Sequence, residues 1–140
     1  MTPFFSVTLL LLYAVTLESA TSKYIYGKVE IIDPNLVGEN SLSLLKVNST
    51  IPSNHIICTG KSSRVEIHNK STILRLGANT VAKEESNGTY WIHSGSILFC
   101  STVPSTVHFS TLGATATFEG RGTIILETTG NGGFKLIPLE

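Results

Sequence analysis

Residues 64–76 read RVEIHNKSTILRL, and this stretch decides the fold class. Val65 and Ile67 alternate with charged or polar neighbours, which is the period-two pattern of a strand that buries one face. A polar turn follows at residues 69–71, and residues 72–76 form a second short run rich in apolar side chains. Two such runs on either side of a polar turn predict two short β-strands.

The same alternation continues in both directions from this pair. Turn-forming residues recur about every 8–12 positions, and no segment after residue 22 has a convincing helical period. The pattern predicts an all-β sandwich, barrel or solenoid of about 9–11 short strands. The predicted strands are 24–32, 56–58, 64–68, 72–76, 89–93, 96–100, 107–111, 114–118, 123–128 and 134–139, with 41–47 left open between strand and loop, and Asn87-Gly88 predicted as a two-residue hairpin turn.

The chain of 140 residues is long enough for one domain and carries little charge. Ten Lys and Arg balance ten Asp and Glu, and 14% of residues are charged, against about 25% in ordinary soluble domains. Proteins that bind nucleic acid or anionic membranes carry an excess of Lys and Arg, usually clustered on one face. We therefore expect no nucleic-acid partner, and membrane contact only through the N-terminal segment.

The N-terminal segment has the layout of a secretory signal. Residues 4–17 form an apolar run that is shorter than the roughly twenty residues of a membrane-spanning helix, and small residues follow it. Cleavage after Ser22 fits the preference for small residues better than cleavage after Ala20, which would place Glu18 third from the cut. We predict a signal peptide at 1–22, a β domain at 23–140, and an exported protein that is periplasmic or extracellular. A buried N-terminal helix or an uncleaved anchor is the alternative.

Two cysteines, Cys58 and Cys100, lie inside apolar strand-like runs. A free Cys in such a run acts as a small buried hydrophobe, whereas in an oxidising compartment the pair could form a disulfide. Sequence alone does not bring the two residues within bonding distance, so both interpretations stay open.

The sequence contains no pattern that predicts catalysis or metal binding. His55 and Cys58 are three residues apart, which places them on opposite faces of a strand, and no pair of ligands has the close spacing of a zinc site. Glu84 and Glu85 could supply paired carboxylates, but they adjoin turn residues and predict a solvated turn. We expect a protein that is not an enzyme and that holds no metal and no cofactor.

Several short motifs stand in a fixed order along the second half of the chain. They are Thr59-Gly60 with Ser63-Arg64, the run 69–76 closed by Gly77, the strand from Gly95 to Phe99, the segment 114–123 that ends in Gly122-Thr123, and the closing strand 134–140. In this order and spacing they resemble the FecR domain family. The best match covers residues 57–140, and the resemblance extends further if residues 26–29 are the opening strand.

The resemblance implies an extracytoplasmic β domain, built as a short β-solenoid or a two-layer β-sandwich, in which the motif residues form structural turns and strands. In well-known members this domain is the periplasmic part of a transmembrane regulator that receives a signal from a siderophore receptor and controls a sigma factor. This chain departs from that arrangement, because no cytoplasmic anti-sigma region precedes its apolar run. It also has Glu119 and Arg121 where the family is usually small or apolar. We expect a stand-alone domain without the role in iron regulation.

Two functions remain from these observations. The first is a binding or sensing module whose sheet edge or loops contact another protein of the cell envelope. The second is a structural or carbohydrate-associated scaffold, in which stacked β coils supply a stable framework.

Overall fold

The computed structural model describes residues 20–86 and 88–139. Strands hold 62% of these residues, against about 20–25% in an average domain, and the one helical element among them is a 3-10 turn at Gly38–Ser41. The all-β prediction is therefore confirmed. Within the same residues, nothing forms an apolar helix of membrane-spanning length. Residues 1–19 of the predicted signal segment and Asn87 of the predicted hairpin lie outside the described residues.

The described residues form twelve strands. In chain order they are β1 (Ala20–Tyr26), β2 (Val29–Ile32), β3 (Leu42–Leu44), β4 (Thr50–Ile51), β5 (Ile56–Thr59), β6 (Arg64–Asn69), β7 (Thr72–Leu76), β8 (Val81–Glu84), β9 (Tyr90–Ser94), β10 (Ser96–Ser110), β11 (Thr115–Thr128) and β12 (Phe134–Pro138).

The strands belong to one hydrogen-bonded sheet that curls into an open half-barrel. Neighbours run in the order β3-β2-β5-β8-β9-β10-β7-β6-β1-β4, and β11 and β12 continue outward from β10. We call β3, β2, β5, β8 and β9 the first limb, and β10, β7, β6, β1 and β4 the second limb. Neighbouring strands are antiparallel except at one place, where Phe109 and Ser110 of β10 run parallel to Tyr90 and Trp91 of β9 and link the two limbs.

The hydrophobic core fills the space between the limbs. Phe99 is fully buried at its centre, and its ring centroid lies 5.3 Å from those of Phe109 and Phe118 and 6.0 Å from that of Tyr90. Aliphatic side chains from both limbs and from β11 surround these rings, namely Val29, Ile57, Ile92, Val65, Ile67, Leu74, Leu76, Ile97 and Leu126. The space left inside is about 20 Å³, which is too small for an organic ligand. A binding site has to be sought on the outside of the curl.

The strands predicted from the sequence differ from the observed strands in three places. The predicted strand 24–32 divides into β1 and β2 at Gly27, whose φ of +76° turns the chain from the second limb into the first. The reverse happens in the long hairpin, where four predicted strands merge into β10 and β11 because their backbones pair almost without interruption. The sequence pattern also missed β8, which carries only two apolar side chains.

The first strand begins within the residues predicted as the signal segment. Ser22 is fully buried in β1, where its Oγ donates a hydrogen bond to the Lys46 carbonyl at 2.5 Å and accepts one from the Ser49 N–H at 3.1 Å. Ala20 is also buried and pairs with Ile51 of β4. Residues 20–22 are therefore part of the sheet, and a boundary after Ser22 would cut β1.

Four of the crossings between the limbs, β1–β2, β5–β6, β7–β8 and β9–β10, are hydrogen-bonded to one another through hydroxyl groups. The Lys28 N–H donates to Ser63 Oγ at 2.9 Å, which joins the β1–β2 crossing to the β5–β6 crossing. Thr59 Oγ1 donates to the Gly77 carbonyl at 2.5 Å and accepts the Thr80 N–H at 2.9 Å, which adds the β7–β8 crossing.

Two further hydroxyl groups complete the stack. Thr80 Oγ1 donates to the Ser96 carbonyl at 3.1 Å, and the Gly95 N–H donates to Thr128 Oγ1 at 2.9 Å, which ties the β9–β10 crossing to the end of β11. We call this stack the glycine–hydroxyl seam, and its members are Gly27, Thr59, Gly60, Ser63, Gly77, Thr80, Gly95, Ser96 and Thr128. It holds both limbs in register along one side of the curl.

Two seam positions require glycine for different reasons. A Cβ at Gly95 would overlap the side chain and Cα of Thr80, and its φ of +103° disfavours any L side chain. A Cβ at Gly77 would lie 2.5 Å from Ser96 Oγ, whereas every other neighbouring atom is at least 3.6 Å away. The conflict at Gly95 therefore involves backbone, while the conflict at Gly77 involves one movable hydroxyl.

We predict that Gly95→Ala lowers the free energy of unfolding by about 3 kcal/mol or more, since it combines backbone strain with overpacking. Gly77→Ala should lower the free energy of unfolding by about 1–2 kcal/mol, and the double variant with Ser96→Ala should recover most of that stability. Urea denaturation of each variant measures these differences.

Gly130→Ala is the matched control. Gly130 has no positive φ, and a Cβ added there would have no atom within 4 Å, so the stability of this variant should be close to that of the unchanged protein. Equal stability of Gly95→Ala and Gly130→Ala would contradict the role of the seam.

Candidate functional site

The outer face of the second limb carries a groove of about 570 Å³, within the range of about 300–1,000 Å³ found for ligand sites. Side chains alternate along each strand, so the inward neighbours Val65, Leu76 and Ile97 leave the residues beside them on the outer face. Strand registers align one row across the groove, Tyr24, Glu66, Arg75, Leu98 and Ile125. With Tyr26 and Arg64, these seven residues define what we call the outer groove.

One end of the outer groove presents two exposed tyrosines. Tyr24 and Tyr26 are 67% and 62% exposed, although tyrosine residues in folded proteins are usually partly buried. The Arg64 guanidinium lies 5.3 Å from the centroid of the Tyr26 ring, and the Tyr24 ring meets His68 edge-on at 6.5 Å. These contacts orient the rings, and both tyrosines remain largely exposed to solvent.

Glu66 organises the charges in the middle of the groove. Its Oε2 accepts a hydrogen bond from Arg75 Nε at 2.8 Å, and its Oε1 lies 2.8 Å from His68 Nε2. Burial pushes the pKa of the Glu66 carboxyl upward, but the hydrogen bonds and charges of His68 and Arg75 outweigh burial and hold that pKa below its usual value. Glu66 is therefore ionised at neutral pH and fixes Arg75 in place.

The lining of the groove combines positive charge with an apolar floor. Arg64 and Arg75 against Glu66 leave one net positive charge among these three residues, and a guanidinium offers five donors, of which Arg75 uses Nε on Glu66. Leu98 and Ile125 form a half-buried aliphatic floor next to them. This arrangement can bind a partner that brings a carboxylate and an apolar side chain together.

Five residues of the predicted family motif come together, but in the seam and not in the groove. Thr59 and Ser63 are buried and supply hydroxyl groups to it, while Gly60, Gly77 and Gly95 form its tight crossings. The signal that could have found their partners is the recurrence of Ser or Thr near each glycine, as in Thr80 and Ser96.

The remaining motif residues separate from one another. Arg64 lies in the outer groove, and Phe99 lies at the centre of the core. Gly122 and Thr123 lie in β11 opposite Ser101 and Cys100, where the β10–β11 pairing becomes irregular. Their structural roles are thus unrelated to the seam.

The two cysteines are free thiols in this structure. Cys58 lies on β5 and Cys100 on β10, and β8 and β9 stand between these strands in the sheet. Burial, helped by the negative charge of Glu30, raises the pKa of the Cys58 thiol. This thiol is therefore protonated at neutral pH, which makes it a poor nucleophile.

The structure corrects the prediction that Glu84 belongs to a solvated turn. Glu84 is the last residue of β8 and is half-buried, so burial raises the pKa of its carboxyl despite a hydrogen bond with Asn69 of β6. Nearby, the Tyr90 hydroxyl bonds to Thr72 of β7, and burial together with the charge of Glu84 raises the pKa of Tyr90. These two links join the limbs through the β6–β7 turn. Across the described residues, no three His, Cys, Asp or Glu side chains gather closely enough to hold a metal ion.

We predict that Glu66→Gln destabilises the fold by about 1 kcal/mol at pH 7, the value of a charge-assisted hydrogen bond discounted for the exposure of Arg75. Because the folded-state pKa of Glu66 is lowered, its contribution is present above the unfolded pKa of about 4.3 and is lost as the pH falls through the folded value. Denaturation of the unchanged protein and of Glu66→Gln between pH 7 and pH 3 should show that the difference in their free energies of unfolding becomes smaller as the pH falls. Glu119→Gln, at an exposed position on β11, is the control, and a pH-independent difference would contradict the assignment.

For Glu84→Gln we expect the opposite dependence of stability on pH. The raised pKa of Glu84 means that its stabilising contribution is present below the unfolded pKa and is lost as the pH rises through the folded value. The variant should thus gain stability relative to the unchanged protein on going from pH 4 to pH 7, by less than about 1 kcal/mol because the group is only half-buried. The same denaturation series measures it, and a loss of stability at pH 7 would show that the Asn69 bond outweighs burial.

Comparison with known proteins finds no family model, no curated protein and no solved structure that matches this chain. The resemblance to the FecR family therefore depends on the motifs in the sequence, and function has to be inferred from the outer groove.

Proposed function

We propose that this chain is a non-enzymatic, exported binding or sensing module that contacts another protein of the cell envelope through the outer groove. The observation that carries the proposal is the outer groove itself, with two exposed tyrosines, two guanidinium groups and an aliphatic floor on one sheet face. Exposed aromatic and arginine side chains are the residues most enriched where proteins bind one another.

A protein partner fits this surface better than a glycan. Sugars stack on aromatic rings, and Tyr24 and Tyr26 could serve that purpose. Leu98 and Ile125, however, offer aliphatic surface, which matches the side chains of a polypeptide and gains nothing from sugar hydroxyls. The exposed tyrosines keep one alternative open, a structural or carbohydrate-associated scaffold of the envelope.

We assign the module to the FecR type on its motifs. In this proposal the protein is periplasmic or extracellular, and its fold is a short β-solenoid or a two-layer β-sandwich. The seam supports it, since Thr59, Gly60, Ser63, Gly77 and Gly95 recur at the crossings as the stacked turns of such a fold would require.

A photocrosslinking experiment tests the contact. The intact chain with Tyr24→p-benzoylphenylalanine is irradiated in envelope extract, and we expect one recurrent protein adduct identified by mass spectrometry. Arg75→Gln and Arg64→Gln in that background should each reduce the adduct about tenfold or more, as the loss of one charge-assisted contact would.

Two matched changes make the result specific. The same crosslinker at Leu112, an exposed residue at the far end of the β10–β11 hairpin, should not give that adduct, and Arg121→Gln should not reduce it. Retention of the protein on purified envelope glycan, with no protein adduct and with the same loss on Arg75→Gln, would overturn the protein contact in favour of the scaffold alternative.

A further inference from the structure

Strand β3 is an open edge of the sheet and lies in the densest exposed apolar segment of the described residues. Leu42 and Leu44 are 47% and 62% exposed, and three more large apolar side chains between residues 36 and 47 are also exposed, Leu36, Val37 and Val47. Isolated exposed leucines are ordinary, but several beside a free strand edge indicate a docking surface.

The other two strands that end the sheet are protected. Strand β4 is two residues long and its Ile51 is buried, while β12 carries the exposed Lys135 and ends at Pro138. Short length, lysine and proline are the usual means by which proteins prevent edge pairing. Strand β3 itself, with the sequence Leu-Ser-Leu, has neither a lysine nor a proline.

The hydrogen bonds between β2 and β3 determine which backbone N–H and C=O groups of β3 face the open edge. The Asp33 N–H donates to the Ser41 carbonyl and the Leu45 N–H donates to the Val29 carbonyl, while Ser43 pairs with Ile31 in the same register. Since hydrogen-bonded and non-hydrogen-bonded pairs alternate, the Ser43 backbone faces β2, and the backbone groups of Leu42 and Leu44 face away from it.

One of those outward groups is already used. The Leu42 N–H donates to the Glu39 carbonyl at the end of the 3-10 turn. The Leu42 carbonyl and both backbone groups of Leu44 remain directed towards the open edge. An incoming strand must therefore offer a donor opposite Leu42.

We propose that β3 pairs antiparallel with β3 of a second copy of this chain, about a two-fold axis at Ser43. In that register Leu44 of each copy lies opposite Leu42 of the other, so each Leu44 N–H donates to the other copy's Leu42 carbonyl without disturbing the 3-10 turn. The four leucines then meet on one face, and the small Ser43 side chains meet on the other.

The charges at the two ends of β3 also favour antiparallel pairing with a second copy of the chain. Glu39 precedes the strand and Lys46 follows it, and both are exposed. Antiparallel pairing brings the Glu39 end of each strand to the Lys46 end of the other, whereas parallel pairing would bring like charges together. A second copy thus supplies both the complementary hydrogen bonds and the complementary charges.

Sedimentation velocity of the intact, purified chain tests the self-association. We expect a monomer–dimer equilibrium with a Kd of about 10–100 µM, as for a small edge contact. Leu44→Lys should weaken it at least about tenfold, because a lysine at a strand edge opposes pairing. Leu112→Lys is the control, since Leu112 is a similarly exposed leucine at the far hairpin end. Unchanged thermal denaturation of both variants separates loss of pairing from loss of folding.

Two further variants test the register and the identity of the occupant. Ser43→Cys should form a disulfide-linked dimer with oxidised glutathione, because the two-fold axis brings the Cα atoms to about 4.5 Å, while Leu112→Cys should not. Glu39→Lys and Lys46→Glu should each weaken the dimer about threefold, and the double variant should restore it.

The proposal is overturned if the protein stays monomeric at about 400 µM, well above the expected Kd. It is also overturned if the Ser43→Cys protein crosslinks no better than the Leu112→Cys control. A third contradicting outcome is a monomeric protein whose Ser43→Cys variant is captured by a different envelope protein. Capture of another protein would indicate that β3 pairs with a strand of that protein. None of them bears on the outer groove, which lies on the other limb.

Discussion

The glycine–hydroxyl seam is the constraint on which the rest of the structure depends. At the β1–β2, β5–β6, β7–β8 and β9–β10 crossings, serine and threonine hydroxyl groups bind backbone groups of a neighbouring segment, and glycine leaves the space that this close approach needs. Gly95 is the tightest point, because it lies against the Thr80 backbone with a positive φ. Backbone hydrogen bonds join the same crossings, as from the Gly60 N–H to the Lys28 carbonyl and from the Gly77 N–H to the Ser96 carbonyl, and the hydroxyl groups add to this pairing.

The seam also determines what each face of the sheet can do. It brings the limbs together around Phe99 and Tyr90, so that the interior is filled and only about 20 Å³ remains empty. Binding chemistry is therefore confined to the outer face and the edges. There the fixed registers of the second limb align Tyr24, Glu66 and Arg75 in one row, while the first limb ends at β3.

The sequence predicted the local structure well where one face of a strand is buried. Residues 72–76 were predicted as a strand with the bounds that β7 has, because alternation and turn residues agree there. The prediction failed where local pattern and long-range pairing differ. Gly27 divides one predicted strand, and Glu84 is half-buried and hydrogen-bonded to Asn69 of another strand, which alternation alone cannot indicate.

The same distinction applies to the candidate sites. The motif glycines and hydroxyls were visible in the sequence, whereas Tyr24 and Arg75 are 51 positions apart and share a surface only because β1, β6 and β7 pair in register. The amino-acid sequence by itself determined the all-β class, the position of most strands and the scarcity of charge, since these follow from residue type and its period. Only the tertiary structure decided which outward faces form the outer groove and which edge stays open, because strand order and register arise from packing between residues far apart in the chain.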